Sequence, residues 1–363
     1  MSEVDDAPPS TPTSSQSPTP SPSRHSSAVS MDPSAASVLP PRRPAWRRAV
    51  ATSPFYMGCV LGAMIVVFSV LKFHEFDTVA NVRNITLDVA MLQIMAVGMT
   101  FVIVMGGFDI SISSILVFSG VVAAKTMQHM PDSWGTVIVG LVVCVLSGVA
   151  WGVFNGVCIA KLKVPPLITT LGTLGAALGA AQLITDGADV PTVPRTLFAV
   201  TRNRPFGLSW LVWIAIGITI VFGLLLAYTR FGRHTYLIGS NIESARRAGI
   251  KVDRHVMVVY AINGGLAGLA GMVSLTRFST TTISGHATDA LQVITGVVLG
   301  GTSVFGGIGT IIGTLIGMFI PAVLTNGFVV LNFQPYGQQV VIGGVLVAAV
   351  YLDQLKRRRR DRS

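Results

Sequence analysis

Residues 290–352 read ALQVITGVVLGGTSVFGGIGTIIGTLIGMFIPAVLTNGFVVLNFQPYGQQVVIGGVLVAAVYL, 63 positions without one Asp, Glu, Lys or Arg. No water-facing surface is built from such a stretch. A bilayer-facing one is, because charge near the hydrocarbon centre costs about 2.5–3.5 kcal/mol per residue on insertion scales. The rest of the chain extends the pattern. Apolar residues fill 51% of its 363 positions and charged residues 12%, against about 25% charged in a soluble domain. The expected fold is all-α, a polytopic bundle of membrane helices.

Apolar runs fall at 54–72, 88–105, 110–124, 136–160, 165–184, 208–228, 256–276, 290–304, 309–330 and 338–352. About 20 residues cross the hydrocarbon core. The third, eighth and tenth runs are short by that measure and read as tilted neighbours, broken helices or half-spans. About ten transmembrane helices are expected. With the N-terminus inside, the inner segments carry 18 Lys and Arg: four between Arg42 and Arg48, then Lys161 and Lys163, then six from Arg230 to Arg254, then six from Lys356 to Arg362. The outer segments carry seven, Lys72, Arg83, Lys125, Arg195, Arg202, Arg204 and Arg277. This bias follows the positive-inside rule and places both the N- and C-termini in the cytosol. It also accounts for the net charge of +10. The basic residues are not interleaved with aromatics, so no nucleic-acid partner is expected.

Residues 1–50 are rich in Pro, Ser, Thr and Ala and poor in large apolar residues. Such a segment buries too little surface to offset its ordering entropy, and a disordered cytosolic tail is expected. Residues 51–355 form the transmembrane domain, and 356–363 a basic cytosolic tail. Cys59, Cys144 and Cys158 all lie in apolar runs and read as small buried hydrophobes.

Small residues recur four apart: Gly175 and Gly179, Gly264 and Gly268, and Gly309, Gly313 and Gly317. Such spacing lets helix backbones approach closely in lipid. Gly106-Gly107 precedes Ile112, and Gly306-Gly307 precedes Ile312 at the same offset, an echo of the internal repeats found in transporters.

The chain has no Gly-x-x-x-x-Gly-Lys-Ser/Thr loop, no His-Glu-x-x-His, no Cys-x-x-Cys and no Gly-x-Ser-x-Gly. No resident cofactor or metal is expected, no paired nucleophile and base is evident, and the chain reads as no enzyme. Within the apolar runs the carboxylates Asp88 and Asp109 lie only near span ends, too few for an ion relay. If the chain moves a solute actively, either an ion gradient or a separate ATPase must power it, and the scarcity of such carboxylates favours the second.

The segment 230–255, RFGRHTYLIGSNIESARRAGIKVDRH, is the longest charged inner loop. Asn241 is a good N-cap, Glu243 to Ala248 a good helix, and Gly249 a good stop. Either a solvated loop or a short helix that takes force from a cytosolic partner fits. Asp109, Ser111, Ser113 and Ser114 open the third span, as helix caps or as a gate. Asn155, Thr169, Thr170, Thr173, Asn263, Asn326 and Gln338 are polar groups inside spans. They serve interhelical or own-helix hydrogen bonds, or line a path. Trp210 and Trp213 suit an outer interface belt.

Glu243-Ser244-Ala245-x-x-x-Gly249 resembles the Glu-Ala-Ala-x-x-x-Gly coupling loop of ABC importer permeases, with Ser for the first Ala. GRHTYLIGSNIESARRAGIKV is similar to the inner loop of the ribose/xylose/galactose-type permeases. GGFDISISSILVFSGVVAA from Gly106 resembles that family's Gly-Gly-Ile-Asp-Leu-Ser-Val-Gly-Ser segment, with Ile112 and Ser113 where Val and Gly are usual. NGVCIAKLKVPPLITTLGTL from Asn155 and GGTSVFGGIGTIIGTLIG from Gly300 resemble two further segments. The likeness covers roughly residues 55–352.

The resemblance implies a permease subunit of an ATP-driven importer in a bacterial inner membrane, moving a monosaccharide. Its implied partners are a second permease copy in a homodimer, a cytosolic ATPase subunit that uses the ATP, and a periplasmic or lipid-anchored solute-binding protein. Glu243, Ser244, Ala245, Arg246 and Gly249 take the coupling role. Asp109, Ser111, Ser113, Asn155, Thr169, Thr170, Thr173, Asn263 and Asn326 are the candidates for the translocation path. A permease for branched-chain amino acids or nucleosides, or an ion-coupled secondary carrier, are the rival readings.

Overall fold

The computed structural model describes residues 53–191 and 194–360. The expected disordered tail, 1–50, lies outside the described residues. Fourteen α-helices follow among those described: α1 Ser53–Leu71, α2 Phe73–Phe76, α3 Val79–Val104, α4 Ile112–Gln128, α5 Trp134–Ala160, α6 Pro166–Thr185, α7 Phe198–Arg202, α8 Trp210–Tyr228, α9 Arg230–Ser240, α10 Ile242–Arg247, α11 Val252–Phe278, α12 Asp289–Leu299, α13 Ile311–Val330 and α14 Pro335–Arg360. No strand occurs among the described residues. Six helices, α3, α5, α6, α8, α11 and α13, are long and apolar enough to cross a membrane. Three shorter apolar helices, Tyr56–Leu71 of α1, α4 and α12, occupy further expected runs. The last expected run, 338–352, lies inside α14, whose backbone helix continues past residue 355 to Arg360.

The centre of the bundle is α3. From Val89 to Val104 every residue is buried, because α11, α8, α13 and α12 all pack around it. An apolar helix is stable either at the centre of a bundle or against lipid, and the packing of these four neighbours places α3 at the centre. Its apolar band excludes solvent as fully as a soluble core does.

The closest helix pair is α5 with α11. Gly148, Gly152 and Gly156 stand four apart on α5 and meet Gly264, Gly268 and the backbone at Met257 and Tyr260 on α11. A Cβ at Gly152 would overlap the carbonyl oxygen of Tyr260, and one at Gly264 would come within 2.8 Å of the Gly152 Cα. The pair Gly264 and Gly268 therefore does what its spacing suggests. Gly313 and Gly317 do the same against Gly300 and Gly296. Gly175 and Gly179 do not: nothing lies within 4 Å of a Cβ at either. The α5 ladder itself was hidden in the sequence among bulkier neighbours.

The eighth expected run is a broken helix. Its helix, α12, has 11 residues and stops at Leu299, where Gly300 and Gly301 follow. Residues 300–310 cross the remaining distance without helix. They bring Gly306-Gly307 against Gly106-Gly107, so the two halves of the sequence echo meet in space. A Cβ at Gly306 would stand 3.0 Å from the Cα of Gly106, and the Gly307 amide donates to the Val104 carbonyl at 2.8 Å. Gly106, with φ +86°, ends α3 as its left-handed residue. Its amide donates to Ile103 and that of Gly107 to Val102, which satisfies the last free carbonyls of the helix.

Loops at the opposite end are tied by carboxylates. Asp132 accepts from the Thr196 hydroxyl at 2.6 Å and from the amides of Thr196 and Arg195. Hydrogen bonds from Thr196 hold the Asp132 carboxyl below the usual carboxylate range. Asp189 accepts from the Ile283 amide at 2.9 Å.

Glycines on and off this seam predict different outcomes. Gly152→Leu, on the tight α5–α11 seam, lowers the melting temperature of the purified protein in detergent, since overpacking costs about 1–3 kcal/mol. Gly62→Leu on α1, where nothing lies within 4 Å of a Cβ, leaves it near the wild-type value. Equal melting of both variants contradicts the packing described.

Candidate functional site

Two regions hold the residues singled out in the sequence, and one chain of contacts joins them. The first is the charged segment 230–255. Helix α10 is capped as its sequence demands: the Asn241 side chain accepts from the Ser244 amide at 2.9 Å. At its other end the Ile250 amide donates to Ala245 and the Gly249 amide to Arg246, with Gly249 at φ +79°. This is a Schellman closure, which needs the left-handed residue that glycine adopts without steric cost. Ala245 is the buried residue of the turn. Glu243 and Arg247 pair at 3.5 Å with side chains 62% and 79% exposed. Arg246 reaches Asp253 at 3.6 Å, and Lys163 of the α5–α6 turn reaches the same carboxylate at 2.9 Å. Ser244 stands exposed beside them. A cleft of about 450 Å³ opens next to α10, lined by Phe231, His234, Gly249, Lys251, Arg254 and His255 among others.

Helix α9 fixes this loop to the bundle. The Tyr236 hydroxyl donates to the Gly309 carbonyl at 2.6 Å. Thr235 bonds the His255 ring at 2.9 Å. Gly239 lies against the end of α3, where a Cβ would overlap the Val104 carbonyl oxygen and stand 2.7 Å from the Gly307 amide nitrogen. So the loop rests directly on the crossing of the two glycine turns.

The second region begins two residues past Gly107. Asp109 is fully buried. Its Oδ1 accepts from the Ser111 amide at 2.9 Å and from the Ser111 hydroxyl. Its Oδ2 accepts from Asn263 Nδ2 at 2.8 Å. Asn155 Nδ2 donates to the Ser111 hydroxyl at 2.9 Å. Four candidates from α5, α11 and the α3–α4 turn thus form one chain of hydrogen bonds, each of them 0% exposed. Tyr260 seals it, its hydroxyl donating to the Phe108 carbonyl at 3.0 Å. The amide oxygens of Asn155 and Asn263 have no hydrogen-bond partner among the described residues. Among the described residues no cation pairs with Asp109.

The remaining candidates stand apart. Ser113 is buried on the first turn of α4. Thr169, Thr170 and Thr173 are buried on the face of α6, and α6 packs against α4 and α5. Thr170 and Thr173 bond back to their own helix, while the Thr169 hydroxyl has no partner. Asn326 sits elsewhere, in a reciprocal amide pair with Asn81 at 2.8 Å in both directions.

The sequence reading passed over Asn81, Gln93 and Tyr260, and it found no nucleophile beside a base. The structure brings one together: His286 bonds Asp289 at 2.6 Å through Nδ1, and Ser274 at 2.9 Å and Thr282 at 2.7 Å through Nε2. Ser274, His286 and Asp289 are all buried, and the ring is shared by two hydroxyls. It staples the 279–288 turn to α11 and α12. No local spacing signals it, because Ser274 and His286 belong to different elements.

The family described as "Branched-chain amino acid transport system / permease component" matches residues 81–350. The L-arabinose transport system permease protein AraH of Escherichia coli is 36% identical over 301 residues, covering 81% of this chain and 90% of its own. The ribose import permease protein RbsC of Escherichia coli is 34% identical over 303 residues, covering 81% and 91%. The D-allose transport system permease protein AlsC of the same organism is 32% identical over 296 residues, covering 82% and 90%. No solved structure matches.

The network makes a specific claim about Asp109. Asp109→Asn turns one acceptor into a donor that faces the Ser111 or Asn263 donors. Thermal unfolding of the purified variant is expected to show destabilisation of about 1–3 kcal/mol, and Asn263→Leu, which removes one partner of the carboxylate, a similar loss. Unfolding unchanged in both variants removes the network as a structural element.

Proposed function

From the chain's membership of the branched-chain amino acid transport system permease family, we propose that it forms the membrane path of an ATP-driven importer for a monosaccharide. It is a transport subunit and not an enzyme. The relatives, permeases for arabinose, ribose and allose, support a pentose- or hexose-like solute. ATP is used by a separate cytosolic subunit, and an extracytoplasmic binding protein delivers the sugar. The chain spans a bacterial inner membrane about ten times with both termini inside, a reading that rests on loop charge and on the nine apolar helices together with α14.

The observation that carries the mechanism is the direct seat of α9 on the glycine crossing. Glu243, Arg247 and the 450 Å³ cleft beside Gly249 form the docking face for the ATPase. Movement of α10 pulls α9, and α9 bears on Val104 and Gly307 with no side chain between to absorb the displacement. The displacement reaches Asp109, two residues past Gly107, and through its hydrogen bonds Ser111, Asn155 and Asn263. We assign that network to the inner gate of the path and Ser113, Thr169, Thr170 and Thr173 to its wall; Asn326 serves the α3–α13 contact. Scarcity of charge suits a neutral sugar, which needs hydrogen-bonding groups and not counter-ions. The second copy of a homodimer covers the open face of α6 at Gly172, Gly175 and Gly179.

Two measurements test this reading. Gly249→Val places a β-branched residue at φ +79°, at a cost of about 1–2 kcal/mol. With Glu243→Lys it is expected to abolish most sugar uptake and sugar-stimulated ATP hydrolysis in the assembled transporter, while membrane insertion stays normal. Wild-type uptake in both variants removes the coupling role. For the dimer, a cysteine at Gly179 in a chain with Cys59 and Cys158 replaced by Ser is expected to cross-link to its twin in membranes; monomer alone contradicts the α6 interface.

A further inference from the structure

A second cavity of about 290 Å³ lies at the other end of the bundle, lined by Arg83, Arg202, Arg204 and Arg277 with Asn84 and Ser209. We propose that it binds the phosphate headgroup of an anionic phospholipid.

The charge comes first. Arg277 is answered by Asp88 at 2.6 Å, and Arg83 donates to the Gly207 carbonyl at 3.1 Å. Arg202 and Arg204 have no ion-pair partner among the described residues. Arg83 and Asn84 belong to the first two turns of α3, and Ser209 is the N-cap of α8. Two long helices therefore turn their positive ends toward the same space. Four of the seven basic residues that the ten-span topology leaves outside line this one cavity. The positive-inside rule disfavours them there, so a ligand of opposite charge is the simplest reason for the cluster.

The depth and the surroundings select a lipid. Phe206 is 94% exposed and stacks edge-on with Trp213 at 5.9 Å. The Trp213 ring donates to the Pro205 carbonyl at 3.2 Å, and the Arg277 guanidinium lies 5.1 Å from the Phe278 ring centre. Trp213, a ring with one polar end, is of the kind that marks the headgroup layer of a membrane. After Ser209, which lines the cavity, Trp210, Ile214, Val221 and Leu224 are exposed at spacings that put them on one stripe of α8. A headgroup in the cavity leaves its acyl chains along that stripe. An acidic protein side chain gives no use to the stripe, and a volume at the lower edge of the roughly 300–1,000 Å³ typical of small-molecule sites suits one headgroup.

Native mass spectrometry of the full-length permease in detergent tests this directly and reads lipid retention, which does not depend on transport being as proposed. Dioleoyl phosphatidylglycerol is expected to remain bound at activation that strips dioleoyl phosphatidylcholine. The double variant R202Q/R204Q is expected to weaken retention of phosphatidylglycerol about thirtyfold, given two basic groups near a membrane surface. Lys125→Gln, outside the cavity, is expected to leave it unchanged. Equal retention of both lipids, or equal loss in Lys125→Gln, overturns the site. Displacement of the lipid by equimolar inorganic phosphate reassigns the cavity to a soluble anion. Unchanged lipid retention in R202Q/R204Q with lost capture of the purified solute-binding protein reassigns it to that protein, and each of these also overturns the proposal.

Discussion

The carbonyl of Val104 is the point on which the molecule turns. It is the last residue of the central helix, it accepts the Gly307 amide at 2.8 Å, and the bare Cα of Gly239 backs onto it. Three segments distant in sequence meet there because each offers glycine. Any side chain at Gly239 or Gly306 would push them apart. Packed interiors respond to such pressure by shifting as blocks, not by bending continuously. Backbone seated on backbone is therefore a stiff contact between α9 and the helix at the bundle centre.

The stiffness continues from that point in one direction. Gly107 leads in two residues to Asp109, whose carboxylate ties the start of α4 to α11 directly and to α5 through Ser111. Helices α5 and α11 are themselves locked by their glycine ladders. Three donors offset part of the cost of burying this carboxylate, but the amide oxygens of Asn155 and Asn263 have no partner among the described residues. A network satisfied only in part is costly in a dry interior, so it holds these helices together only while the packing around it is kept.

Much of this was legible in the sequence, and the gaps have physical causes. Helix α10 was read correctly at both ends, because an N-cap at Asn241 and a stop at Gly249 are local chemistry. The long spans were read from hydropathy alone. Asp109, Ser111, Asn155 and Asn263 were each picked out as polar groups in an apolar setting, yet nothing in the sequence paired Asp109 with Asn263, 154 positions away. Asn326 was grouped with them by residue type and belongs with Asn81. The Gly106 and Gly306 turns were seen as an echo, and only the fold shows that they touch. The last third of the eighth run, 300–304, is not helical because Gly300 and Gly301 interrupt it, a signal that hydropathy averaging hides. Gly175 and Gly179 carry the same spacing as Gly264 and Gly268, but spacing says nothing about whether a partner helix is there.

The two ends of the bundle are held by different forces. The Val104 end is joined by backbone contact without intervening side chains. The opposite end is joined by loops whose ties are hydrogen bonds to Asp132, Asp189 and His286. Each such bond nets only about 0.5–1.5 kcal/mol, and those at Asp132 are exposed to water, which replaces them readily. A displacement of α9 therefore meets a rigid seat at its own end and yielding ties at the other.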